Sequence, residues 1–149
     1  MIGILVVSHG KLATGLLSSA ELILGRLEAV AAVELDEGTA QNTLRSRVDE
    51  RISRLLDEEG ILILTDLRGA TPCNVTAELA ERDTISVVTG VNLPLLIHAL
   101  TERGCQDLGQ LTASAIEAGR AGIVDMAELI GQYRTAERDG NCGNPREQF

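Results

Sequence analysis

Aromatic residues are almost missing from this chain, which has no Trp, one Tyr (Tyr133) and one Phe (Phe149) in 149 residues. Its core must therefore be aliphatic, and the stacking platforms that hold single-stranded nucleic acid are effectively absent. Positive charge is scarce as well. Thirteen Lys and Arg against 22 Asp and Glu leave a net charge of −9, which argues against nucleic acid and against anionic membrane surfaces as partners. The three cysteines, Cys73, Cys105 and Cys142, form no CxxC pair and no His/Cys cluster, so no metal site is expected. An odd cysteine count without a secretory signal fits a reducing compartment, and the expected location is the cytoplasm. No apolar run is long enough to span a bilayer. What remains is ordinary for one globular domain, with 44% apolar and 23% charged residues.

Apolar runs and helical patterns alternate along the chain. The pattern predicts strands at 2–7, 29–35, 60–65 and 84–88. Helices are expected at about 14–25, 39–57, 72–81, 93–103 and 108–119. Ala121 to Met126 reads as a short last strand, and Tyr133 to Phe149 as a polar tail, mobile from Glu137. Ile2 to Val7 and Ile61 to Leu64 are continuous apolar runs, as central parallel strands covered on both faces require. Leu44, Val48, Ile52 and Leu55 recur at helical spacing. Gly25 and Gly60 stand where helices should stop, and Pro72 and Pro94 suit first helical turns, with Thr71 and Asn92 as caps. Strand–helix alternation implies an α/β fold, a doubly wound, mainly parallel sheet with helices on both faces.

Two strand ends carry chemistry. The first apolar run exits into Ser8-His9-Gly10, and the third exits into Asp66, followed by Gly69-Ala70-Thr71-Pro72. In an open α/β sheet, reactive groups belong outside the carboxyl ends of the strands. Ser8 and Gly10 are small and leave room above the His9 ring. A carboxylate at Asp66, accepting from one ring nitrogen, would fix the tautomer, present the other lone pair and stabilise the imidazolium. The Gly69-Ala70-Thr71 segment offers close backbone approach, helix-start N–H groups and a hydroxyl for an anion. It lacks the Gly-x4-Gly-Lys spacing of a Walker loop. Arg68 reads equally as a rim cation or a solvated side chain. His98, inside a helical apolar pattern, reads as structural.

Taken together, Ile4 to Gly10, Leu64 to Asn74, Val88 to Pro94 and Glu117 to Gly122 resemble the enzyme IIA component of the bacterial phosphotransferase system, mannose/fructose/sorbose class. The likeness covers roughly residues 1–128 and leaves 129–149 as an extension. It implies a phosphotransferase in which His9 accepts a phosphoryl group on Nε2 from the phosphocarrier protein HPr. The group then passes to a IIB component, here on a separate chain, for sugar uptake. It implies that Asp66 hydrogen-bonds the other ring nitrogen, that Thr71 lies near the phosphate, and that no cofactor is needed. It further implies a homodimer that exchanges its last strand, near 121–126, and contact with the membrane only through transporter subunits. Two positions depart from the family pattern. Arg68 replaces an aromatic residue, and Ala70 replaces the second of two glycines. A regulatory phosphoacceptor without sugar flux would carry the same site. A histidine phosphatase would need an Arg before the histidine and a second active-site His. A tetrapyrrole chelatase would need further His or Glu ligands.

Overall fold

The computed structural model describes residues 1–55 and 59–138. Its strands are β1 (Gly3–His9), β2 (Val30–Leu35), β3 (Ile61–Thr65) and β4 (Ile85–Thr89). They alternate with α1 (Leu12–Leu24), α2 (Gln41–Leu55), α3 (Thr71–Ala77, continued by a 3-10 turn over Glu78–Glu81) and α4 (Leu93–Glu102). Two further helices, α5 (Leu108–Ala121) and α6 (Met126–Arg138), follow without an intervening strand. All four strands are parallel, in the order β2-β1-β3-β4. The doubly wound reading of the sequence therefore stands.

The two central strands are the two continuous apolar runs. Side chains alternate across them. Ile4, Val6, Leu62 and Leu64 pack beneath α1, α4 and α5, against Ala13, Leu96, Ala99 and Leu111. Leu5, Val7, Ile61 and Ile63 pack on the other face against Leu44, Val48 and Ile52 of α2 and Val75 of α3. Each such Leu or Ile contributes about 1.5–3 kcal/mol by leaving water. The sheet that carries the site is thus anchored on both sides.

Strand order positions the site. From β1 the chain passes over one face to β2, then returns past β1 to β3. Adjacent strands β1 and β3 consequently send their next helices to opposite faces, which makes their carboxyl ends the switch point where open α/β sheets place ligands. In register, Val7 faces Thr65, so the residues just beyond, His9 and Asp66, emerge side by side.

The C-terminal part differs from expectation. Residues 122–125 form no strand. Ala121 ends α5, and α6 opens at Met126 with the Asp125 carboxylate accepting the Ala127 N–H at 2.8 Å. A strand exists only in a hydrogen-bonded ladder, and among the described residues none pairs with this segment. The expected tail from Tyr133 is helical as far as Arg138. Residues 139–149, with Cys142 and most of the stretch expected to be mobile, lie outside the described residues. Among those described, no helix is long and apolar enough to cross a membrane.

Candidate active site

His9 ends β1 with its ring half exposed, whereas the Asp66 side chain is 12% exposed. The His9 ring Nδ1 lies 2.8 Å from Asp66 Oδ2. The same oxygen accepts the His9 backbone N–H at 2.8 Å, and Oδ1 accepts the Leu67 N–H at 2.8 Å. The carboxylate is therefore fixed by its own loop and by the residue it serves. Burial pushes its pKa up, but the hydrogen bonds from the His9 backbone, the His9 ring and the Leu67 backbone outweigh that push. Asp66 is held below the ordinary carboxylate value. An ionised acceptor on Nδ1 assigns the proton to that nitrogen and leaves the lone pair on Nε2.

Glycines make both turns. Gly10 follows His9 at φ +51° and donates its N–H to Leu35 O at 3.0 Å. Gly69 stands at φ +77° in the β3–α3 turn, and Asn74 Nδ2 donates to its carbonyl at 3.1 Å. An L residue at either position would be strained.

The structure brings His9 and Asp66 together and sets the Gly69-Ala70-Thr71 segment on the loop that Asp66 begins. One expectation is corrected: Thr71 does not cap α3. It is the first helical residue, and the N-cap is Ala70, extended at φ −83° and ψ 170°, with no side chain to accept a bond. Pro72 moved the sequence-based boundary by one residue, because proline is tolerated within the first helical turn and does not mark its first position uniquely. Asn92 does cap α4, accepting the Leu95 N–H. Arg68 is exposed at the rim. His98 stays within α4, its Nε2 buried without a partner, and no bond joins it to His9 or Asp66.

Two residues near the site have roles the sequence reading missed, and Ser8, expected to leave room above the His9 ring, lies instead beneath α1. Ser8 is fully buried. Its Oγ accepts the Ala13 N–H at 2.8 Å and donates to His9 O at 3.3 Å. Glu34 of β2 binds the Lys11 Nζ at 2.8 Å and the Thr14 hydroxyl at 2.6 Å, and these bonds hold its pKa below the usual value. The available signal was Lys11, which opens a helix although its side chain can accept nothing. Two clefts of about 390 and 370 Å³ lie along the β4 and β2 edges of the sheet, and neither includes His9 or Asp66.

Comparison with known proteins shows what the chain as a whole is similar to. The family model described as "PTS system fructose IIA component" (PTS, phosphotransferase system) matches residues 3–116. The mannose-specific EIIAB component of Escherichia coli is 32% identical over 124 residues. That stretch is 82% of this chain, but the chain spans only 38% of the relative's length. The fructose-specific EIIA component of Bacillus subtilis is 27% identical over 93% of this chain and 96% of its own. Among solved structures, EIIA from Streptococcus agalactiae superposes with a TM-score of 0.79 at 36% identity, covering 86% of this chain and 99% of that one. The PTS IIA protein associated with the fucose utilization operon of Streptococcus pneumoniae superposes with a TM-score of 0.78 at 26% identity, over 86% and 95%. With a family model covering most of the sequence and the same fold in its relatives, the chain belongs to the mannose/fructose/sorbose family of PTS enzyme IIA components.

Proposed function

We propose that this chain is a phosphocarrier that takes a phosphoryl group from phospho-HPr on His9 Nε2 and passes it to a IIB component for sugar uptake. The observation that carries the reading is the asymmetry of the ring. Nδ1 is bound to Asp66 at 2.8 Å while the side chain is 48% exposed, so one nitrogen is fixed and the other is offered.

The chemistry balances without a cofactor. The Nε2 lone pair attacks phosphorus as the donor's N–P bond breaks, and that electron pair returns to the donor ring. The Nδ1 proton stays between ring and carboxylate, and Asp66 offsets the positive charge the ring acquires. Transfer then requires positioning and charge stabilisation more than covalent work. The Thr71 hydroxyl and the N–H groups of Gly69, Ala70 and Thr71 hold the phosphoryl oxygens. The Ala70 N–H now makes only a long bond, 3.3 Å, to Leu67 O. Exposed Ile123 and Val124, with the open edge of β4, support a homodimer in which this segment reaches a second copy. The cytoplasm is the proposed place of action, with HPr and IIB as soluble partners.

The test is intact-mass measurement after incubation with enzyme I, HPr and phosphoenolpyruvate. Wild type should gain one acid-labile phosphate, and His9→Ala none while keeping its fold. Equal phosphate on both would move the acceptor elsewhere. None on either, with active HPr, would overturn the reading.

A further inference from the structure

We propose that Ser8 is a positioning residue for the His9 ring: with Glu34 it caps α1 from outside the helix and so holds the turn that aims His9. The inference rests on His9 being the phosphoryl acceptor. The first N–H groups of a helix have no intrahelical partners. At α1 the N-cap is Lys11, which makes no side-chain cap. Two strands supply the missing acceptors. The Ala13 N–H goes to Ser8 Oγ at 2.8 Å, and the Thr14 N–H to Glu34 Oε1 at 3.4 Å. Ser8 and Glu34 are register partners on β1 and β2. They face the same side of the sheet, so a single helical turn is clamped by both strands.

Only His9, Gly10 and Lys11 separate Ser8 from α1. Both main-chain polar groups of His9 are taken by side chains. Its N–H is bound by Asp66 at 2.8 Å, and its carbonyl accepts from Ser8 Oγ at 3.3 Å. Successive residues of a strand point to opposite faces. Ser8 is therefore sealed under α1 while His9 stands at the rim, and the hydroxyl cannot meet a phosphoryl group. It acts through the backbone. Without it, the Ala13 N–H has no acceptor beneath the helix, and the His9 carbonyl loses its side-chain donor. The ring then loses the fixed backbone from which Nδ1 reaches the carboxylate.

The experiment compares Ser8→Ala, Ser8→Cys and Ser8→Thr with wild type. Cysteine keeps the volume with a poor acceptor and serves if alanine does not fold, and threonine keeps Oγ. One readout is the ring nitrogen NMR spectrum of His9 in the native state. It should show a single Nδ1–H tautomer in wild type and Ser8→Thr, and a mixture in Ser8→Ala and Ser8→Cys. The other is transfer from phospho-HPr, whose maximal rate should fall about tenfold in Ser8→Ala with little change in the half-saturating HPr concentration. Folded Ser8→Ala or Ser8→Cys with the wild-type tautomer and maximal rate would overturn the proposal. A general loss of stability would not change the tautomer of the native ring. The spectra need no phosphoryl donor. A wild type that takes no phosphate would therefore remove the phosphocarrier reading, while the spectra would still decide what Ser8 does to His9.

Discussion

After β3 the chain turns at Gly69 (φ +77°) and enters α3 with Pro72 in the first helical turn. After β4 it turns at Gly90 (φ +87°) and enters α4 with Pro94 in the same place. There the likeness ends. Asn92 closes the start of α4, accepting the Leu95 N–H at 3.0 Å and donating to Gly119 O at 2.8 Å. The start of α3 has Ala70 as N-cap and no side-chain acceptor, and the nearby carboxylate, Asp66, is committed to His9. A helix start that satisfies itself only holds the fold together. One that lacks its cap forgoes about 1 kcal/mol and keeps N–H groups available to an anion. On the proposed function, the two turns therefore separate scaffold from site, although their sequences follow the same plan.

The strongest way to break this comparison is at Asp66. Asp66→Ala should slow phosphoryl transfer from HPr by about 10²-fold, because the ring loses both its tautomer and its orientation. His9 remains as acceptor, so phosphate should still appear at long times. Stability should respond with a definite sign. The folded-state pKa of Asp66 is depressed, so the unfolded chain binds the proton more readily. Its contribution is full above the ordinary carboxylate value and is lost as pH falls through the folded value. The melting difference between wild type and Asp66→Ala should accordingly narrow on acidification below about pH 4. Unchanged transfer kinetics in Asp66→Ala would leave the β3–α3 turn no more functional than its neighbour.

Much of this was legible in the sequence because burial writes itself as pattern. Strands β1 and β3 are uninterrupted apolar runs, and a run covered on both faces has few other readings. The exits at His9 and Asp66 followed from those runs. Three features were not legible. Ser8 looked like a small neighbour, because nothing local shows that its hydroxyl serves a helix five residues on. Thr71 looked like a cap, because Pro72 tolerates either of two helical positions. Ala121 to Met126 reads as a strand, but its expected partner belongs to a second copy, and within one chain it pairs with nothing among the described residues. Ile123 and Val124 are exposed instead. Asp125 carried the opposite signal, as the cap of α6, and short apolar stretches outvoted it.

A smaller effect sharpens the comparison from within the open turn. Ala70 already has the extended backbone of an N-cap, so Ala70→Asn should give α3 the closure that Asn92 gives α4. Thermal melting should then show a gain of about 0.5–1 kcal/mol. Phosphoryl transfer should slow several-fold, because the new side chain would accept the Cys73 N–H, as Asn92 accepts the Leu95 N–H, and would crowd the Gly69-Ala70-Thr71 segment proposed to hold the phosphate. A stabilised variant with wild-type transfer would mean that the N–H groups of α3 hold no anion, and the phosphate would have to be held by other groups.

The converse substitution has the smallest expected effect on chemistry. Asn92→Ala removes the cap of α4 and its bond to α5, leaving the Leu95 N–H and the Gly119 carbonyl without these partners. Losing such a cap costs about 1–2 kcal/mol, which for a chain of this size lowers the melting temperature by about 2–8 °C. Phosphoryl transfer measured well below that temperature should match wild type, because Asn92 belongs to the turn that closes on itself. If the native Asn92→Ala protein instead slows as much as Asp66→Ala, the β4–α4 turn shares in the chemistry. The presence of a local cap would then no longer distinguish scaffold from site in this sheet.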